Sequence, residues 1–300
     1  MQTVIKVSPT TFDKMADYYG NSGKMPTGAS FHQKKAGVTI TGYPKSYKVM
    51  FQGQRSTSEA AKWSPDAATQ SDPAGLPAGF ASWSVLGSDE VGVGSYFGPL
   101  TVAAVYVARE KIQEVTAVGV KDSKTLSDPE IIKLAHRVMK LCPYHIVNLD
   151  PATYNDRIRR YNQAQLKALC HNFALSKVLT KIAPTKPQGI LIDQFEPANT
   201  YFRHLQGQKQ IIKQNVFFRV KGEQAHVAVA AASVVARYYS LTRMDALSQQ
   251  AGLTLPIGAG HVVDEVAAKL LRRGLNLADF AKLHFANTKK ATQLARLKDH

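Results

Sequence analysis

Near the start of the chain the apolar positions fall into short segments. Val4 to Val7 predicts a strand, and Ser8-Pro9 supplies an N-cap with proline at the first helical position. The helix that follows is predicted to run through Phe12, Met15 and Tyr19 and to stop at Gly20. Residues 31–36, 37–43 and 47–53 read as three short strands joined by tight turns, one of them Tyr43-Pro44-Lys45-Ser46, and residues 58–63 as a second helix. This order describes a small α+β module with a curved antiparallel sheet. Lys34, Lys35, Thr39, Thr41, Lys45 and Lys48 alternate with apolar residues as a half-exposed sheet requires, and a solvated face fits that alternation as well as a nucleic-acid face does.

Past residue 80 the pattern changes to interleaved strands and helices. The clearest strands are 84–89, 101–108, 144–149 and 189–193. A long helix over 162–182 carries Leu166, Leu169, Cys170, Phe173, Leu175 and Leu179 near helical period, and the alanine-rich 227–247 is equally periodic. Residues 263–274 form an amphipathic helix ending in basic residues and glycine, and 277–285 predicts another. Between the two patterns, SPDAATQSDPAGLPAGF holds three prolines, two glycines and four alanines, which reads as a linker. The expected organisation is an N-terminal domain over 1–64, a linker over 65–80 and an α/β domain over 81–300.

Composition narrows the class. With 300 residues, 44% apolar and 20% charged, the chain can bury real cores and is neither a disordered tail nor a disulfide-stapled miniprotein. Its longest apolar stretches, 100–108 and 227–236, are about half of the roughly 20 residues a membrane helix needs, so no span is expected. The N-terminus lacks the pattern of a signal peptide, which predicts a cytoplasmic protein. Cys142 and Cys170 have no metal-ligand spacing and read as reduced, buried thiols. The net charge of +16 favours a polyanionic partner, with nucleic acid first. Residues 1–80 carry nine basic and five acidic groups, so the basic excess is not confined to either portion.

Three acidic sites carry candidate chemistry. Gly87-Ser88-Asp89-Glu90-Val91-Gly92-Val93-Gly94 ends the first strand of the α/β domain, and adjacent carboxylates among glycines are hard to explain as core packing. The glycines let a ligand approach the backbone closely, although a tight turn explains GxG alone equally well. Asp193 closes the aliphatic run Gly189-Ile-Leu-Ile, pointing either to solvent or to a site at the carboxyl edge of the sheet. Glu223 precedes the alanine-rich helix, where the helix dipole alone would favour an acid. Hard oxygen donors converging at one sheet edge suit Mg²⁺ or Mn²⁺, and paired ions of this kind drive phosphodiester hydrolysis. The histidines His136, His145, His171, His204, His226, His261 and His284 lack ligand spacing and are assigned no chemistry, although His226 lies close to Glu223.

Taken together, GSDEVGVGSYFGPL, KDSKTL over 121–126, ILIDQF and the glutamate before AVAAASVVAR resemble ribonuclease HIII, of the type 2 ribonuclease H group. The resemblance covers essentially the whole chain. It implies a ribonuclease H-like catalytic domain with a mixed central sheet, preceded by a small α+β domain similar to the TATA-box-binding protein that binds substrate. It further implies cleavage of the RNA strand of RNA/DNA hybrids with two Mg²⁺ or Mn²⁺ ions, leaving 5′-phosphate and 3′-hydroxyl ends, by a chain expected to be monomeric.

By motif, Asp89, Glu90, Asp193 and Glu223 match the family's four metal-binding acids. Glutamate at the fourth position favours the HIII branch over HII. Gly92, Val93 and Gly94 match the substrate-binding loop, in which Val93 departs from the threonine usual in HIII and from the basic residue of HII. That departure removes a hydroxyl, keeps the main-chain contacts and argues against specialisation for a single embedded ribonucleotide. Ser123 and Lys124 are candidates for phosphate contact, against a plain turn with a solvated lysine. Arg237 is a substrate-binding candidate against a surface salt bridge on its helix. Two other readings remain: a ribonuclease H-like nuclease acting on DNA, and a non-catalytic hybrid-binding protein.

Overall fold

The structure, a computed structural model, describes residues 2–23, 25–53, 55–64, 75–120 and 126–296. The chain divides into two compact units, Met1–Phe80 and Ala81–His300. Most of the expected linker, residues 65–74, lies outside the described residues, as do Ser123 and Lys124.

The first unit contains β1 (Gln2–Lys6), α1 (Pro9–Tyr19), β2 (Phe31–Lys35), β3 (Val38–Tyr43), β4 (Lys48–Gln52) and α2 (Ser56–Ala60), with an antiparallel sheet in the order β1-β4-β3-β2. Helix α1 starts and stops where its sequence dictates: the Ser8 hydroxyl accepts from Thr11 N at 3.1 Å, and Gly20 ends the helix at φ 63°. Ile5, Phe12, Met15, Phe31, Ile40, Val49 and Phe51 form its core. Register sets Lys34, Thr39 and Gln52 side by side on one sheet face, and Lys6, Lys48 and Tyr43 together further along it. Lys35 departs from the expected alternation. Its ammonium lies over the rings of Tyr18 and Tyr19, at 4.7 and 4.9 Å, on the helix-covered face. Thr41 is buried and pairs with His32 Nδ1 at 2.9 Å. Helix α2 begins and ends slightly ahead of the predicted 58–63.

The second unit is α/β. Its strands are β5 (Val85–Val91), β6 (Leu100–Val107), β7 (Tyr144–Leu149), β8 (Gly189–Asp193) and β9 (Val216–Arg219). Helices α3 (Ile112–Ala117) and α4 (Asp128–Leu141) follow β6; α5 (Pro151–Arg157) and α6 (Gln163–Ile182) follow β7; α7 (Ala198–His204) follows β8. After β9 come α8 (Gly222–Ala225), α9 (Val227–Ala251), α10 (His261–Arg272) and α11 (Asn287–Arg296). The sheet order is β7-β6-β5-β8-β9, antiparallel among β7, β6 and β5 and parallel among β5, β8 and β9. Every residue of β6 is buried, as expected of a strand covered on both faces.

The small residues of α9 allow close approach. A Cβ on Gly87 of β5 would run into the backbone of Ala228 and Val229, so glycine there fixes the distance between helix and sheet.

The helix predicted over 277–285 is not formed. A 3-10 turn spans Leu277–Asp279, and Ala281 then makes a bridge to Phe97. The carbonyls a helix would use are taken elsewhere. Phe280 O accepts from Gly98 N, and the Asn155 amide donates to the carbonyls of Ala278 and Ala281. Among the described residues no helix is long and apolar enough to cross a membrane, and both cysteines are free and buried.

Candidate active site

The parallel pairing of β5 with β8 sets Ser88 beside Ile192, so Asp89 and Asp193, one residue further along each strand, stand at neighbouring strand ends. The pairing of β8 with β9 sets Asp193 beside Arg219, and the turn after β9 carries Glu223 into α8. Lys221, at φ 58°, makes that turn. The Gly222 amide donates to Asp193 Oδ1 at 2.7 Å, tying the turn to the end of β8. Three parallel strands thus deliver Asp89, Glu90, Asp193 and Glu223 to one edge of the sheet.

Their electrostatics differ. Asp89 is pushed up to about 7, first by burial and then by the negative charge of Asp193, with a smaller contribution from Glu90 and an opposing hydrogen bond from Ser233. Asp193 is also raised, by burial and by Glu223 and Glu90, against the Gly222 hydrogen bond. Glu90 goes the other way. Burial alone would raise it, but His171 and Lys167 outweigh that and hold the carboxyl below its ordinary value. Lys167 Nζ donates to Glu90 Oε1 at 3.0 Å, and His171 Nε2 lies 2.9 Å from Oε2.

Among the described residues no three His, Cys, Asp or Glu side chains already stand at metal-ligand spacing; the carboxylates are coupled through space rather than converged on one point. The donor set nevertheless fits a divalent cation. Negative neighbours raise both aspartates, Asp193 and Glu90 acting on Asp89 and Glu223 and Glu90 on Asp193, so added positive charge would relieve the repulsion, and all the donors are hard oxygens.

The loop after β5 has an exposed Gly94 and a half-buried Gly92 at φ 92°, where any Cβ would meet Pro99 O. Val93 packs against the buried cluster of Leu100, Tyr154 and Leu166, and Gln163 donates to its carbonyl at 3.2 Å. Beside the loop, Gly92, Pro99, Arg237, Ser240 and Met244 line a cleft of about 180 Å³. Arg237 pairs with Asp128 Oδ1 at 2.8 Å and donates to Leu126 O, so its ion pair runs to the start of α4 and not along its own helix.

His171 and Lys167 were not visible as site residues in the sequence. The available signal was polar residues spaced four apart within the buried face of α6, a pattern that packing alone does not favour. His226 is structural: its Nδ1 accepts from Ala228 N and caps α9, while Nε2 donates to Trp83 O.

A mixed sheet bearing coupled carboxylates at its parallel edge defines the class as ribonuclease H-like. The family model for ribonuclease HII matches residues 86–288, and one described as a domain of unknown function (DUF3378) matches residues 2–74. Ribonuclease HIII of Limosilactobacillus fermentum is 62% identical over 99% of this chain and 100% of its own length. That of Leuconostoc mesenteroides is 53% identical over 98% and 100%. The crystal structure of Bst-RNase HIII in complex with Mn²⁺ is 43% identical, covers 99% of each chain and superposes with a TM-score of 0.72. The chain belongs to the ribonuclease HIII family.

Proposed function

We propose that this chain hydrolyses the RNA strand of RNA/DNA hybrids in a divalent-metal-dependent reaction that leaves 5′-phosphate and 3′-hydroxyl ends. The observation that carries the reading is the placement of Asp89, Glu90, Asp193 and Glu223 at the end of three parallel strands, where Asp193 and Glu90 raise Asp89 and Glu223 and Glu90 raise Asp193, within a chain of net charge +16. The relative solved with Mn²⁺ supports Mg²⁺ or Mn²⁺ as the ion.

In this reading Asp89, Glu90, Asp193 and Glu223 would hold the metal. When bound, such ions lower the pKa of an attacking water and stabilise charge on the leaving 3′-oxygen. The chain itself supplies orientation. The Gly222 amide fixes Asp193, and Lys167 and His171 fix Glu90. The amides of Gly92, Val93 and Gly94 face the RNA sugar-phosphate, where a 2′-hydroxyl distinguishes RNA from DNA. Because Val93 lends its side chain to the core, only its main chain serves this contact. Arg237, Ser123 and Lys124 contact phosphates, Arg237 by exchanging its half-exposed Asp128 partner for substrate. The N-terminal domain, assigned to residues 1–64, adds affinity through the face carrying Lys34, Thr39 and Lys48. The protein acts as a cytoplasmic monomer.

The test uses end-labelled RNA/DNA hybrid and duplex DNA with one embedded ribonucleotide, each with Mg²⁺, Mn²⁺ or chelator. Metal-dependent cutting of the continuous hybrid, with little action on the single ribonucleotide, is expected. Cleavage of the DNA strand, or tight binding without cleavage in either metal, would overturn the reading.

A further inference from the structure

The Phe195 ring, two residues past Asp193, lies under both side chains that hold Glu90. Lys167 Nζ sits 3.8 Å from its centroid, and the His171 ring stacks on it at 5.3 Å and 28°. His171 is fully buried and fixed on its other side, with Nδ1 2.6 Å from Ser88 Oγ, which also contacts Ala103 O at 3.1 Å. Both Glu90 oxygens are therefore engaged by groups whose positions are set from elsewhere: by β5 through Ser88, by β6 through Ala103, and by the end of β8 through Phe195.

We infer that Lys167 and His171, seated on Phe195, are positioning residues that fix the Glu90 carboxylate in its metal-binding orientation. The inference rests on Glu90 being a metal ligand, as proposed above. Each engaged oxygen keeps a second lone pair, so hydrogen bonding to the chain and donation to a cation are compatible. Partners of this kind, which orient a ligand without touching the metal, typically set affinity by about 10- to 100-fold. The simpler alternative is that the two side chains only satisfy the hydrogen bonding of a buried carboxylate. The two ideas part at Phe195, which carries no charge and does not touch Glu90 in any described contact.

The experiment measures Mn²⁺ binding to the full-length protein by isothermal titration calorimetry, with kcat and KM on hybrid alongside. The variants are Phe195→Leu, Lys167→Met, His171→Leu, His171→Gln and Glu90→Gln. Positioning predicts Mn²⁺ affinity about tenfold or more weaker in Phe195→Leu and His171→Leu, a matching fall in kcat and an unchanged KM. His171→Gln, whose amide can donate from about the same place, should recover much of the loss. Hybrid binding in chelator should stay at the parent level. Where His171→Leu fails to fold in thermal melts, Phe195→Leu and Lys167→Met decide. Parent-like Mn²⁺ affinity in Phe195→Leu and His171→Leu, beside weakened binding in Glu90→Gln, would overturn the positioning alone. Parent-like affinity in Glu90→Gln would overturn the site assignment beneath it.

Discussion

The Gly222 amide donates to Asp193 Oδ1 at 2.7 Å, so the residue just before Glu223 is bonded to another member of the acidic set. Asparagine at position 193 keeps that acceptor and loses only the charge. Asp193→Asn should therefore leave the turn and the folded state intact. It should cut cleavage of an RNA/DNA hybrid to below about a hundredth of the parent rate, the scale on which loss of one group stabilising transition-state charge is felt. Hybrid affinity in chelator should be near the parent value. A gel-shift titration beside a cleavage assay checks both, and weakened binding by a normally folded variant would argue that Asp193 serves substrate binding instead.

Asp89 makes the metal-free protein sensitive to pH. Its carboxyl sits at about 7 when folded, against about 4 in the unfolded chain. Between those values the folded state holds a proton that the unfolded state has released, so the metal-free protein loses stability as pH rises through this window. Asp193 is shifted the same way and adds to the trend. A divalent ion binds the deprotonated form, so its stabilising effect should grow with pH. Thermal melts from pH 5 to 8, in chelator and in saturating Mg²⁺, should show a larger Mg²⁺-induced rise in Tm at the alkaline end. Asp89→Asn should flatten that difference. An equal rise at every pH would contradict the assignment.

The parts of this architecture readable from sequence are those fixed by neighbours in the chain. Ser8-Pro9 and Gly20 bracket α1 because capping is local, and Gly189-Ile-Leu-Ile-Asp193 announces both a buried strand and the carboxylate at its end. What stayed hidden depends on partners far away in sequence. Glu90 meets His171 across 81 positions and Lys167 across 77, and nothing in the local pattern of α6 names that partner. Strand β9 is four residues long and exists because β8 offers it an edge. Residues 277–285 have helical periodicity, yet the backbone of Phe97 and Gly98 and the side chain of Asn155 compete successfully for their hydrogen-bonding groups. Lys35 reads as a sheet-face cation, but the pleat of β2 sets it on the face opposite Lys34, over the rings of Tyr18 and Tyr19.

Gly87 sets the seat of Asp89. Alanine there would drive a methyl group into the Ala228–Val229 backbone, which cannot yield as a flexible side chain would. Overpacking of this kind costs about 1–3 kcal/mol. Gly87→Ala should be destabilised by that order in urea unfolding. It should also lose more activity than stability, because α9 carries Ser233, which hydrogen-bonds Asp89. Parent-like stability would mean that helix and strand separate more easily than their contacts indicate.

Lys282 is a full lysine inside the protein. Its side chain is buried, Nζ donates to Gly98 O at 2.6 Å, and the Tyr154 ring lies 5.7 Å away. Among the described residues no carboxylate pairs with it, and burial depresses it to about 7. The unfolded value is about 10.4, so between the two the unfolded chain binds a proton that the folded chain does not. This group therefore makes the protein more stable as pH rises from 7 towards 10, the reverse of the Asp89 trend. Lys282→Met removes that slope and leaves the Gly98 carbonyl without its donor, a loss of about 1–3 kcal/mol where it is left unsatisfied. The destabilisation measured by urea unfolding should thus be larger at pH 9.5 than at pH 7, where the parent still bears the desolvation of a buried ammonium. A difference that is the same at both pH values would mean that the Lys282 ammonium is not depressed in the folded protein.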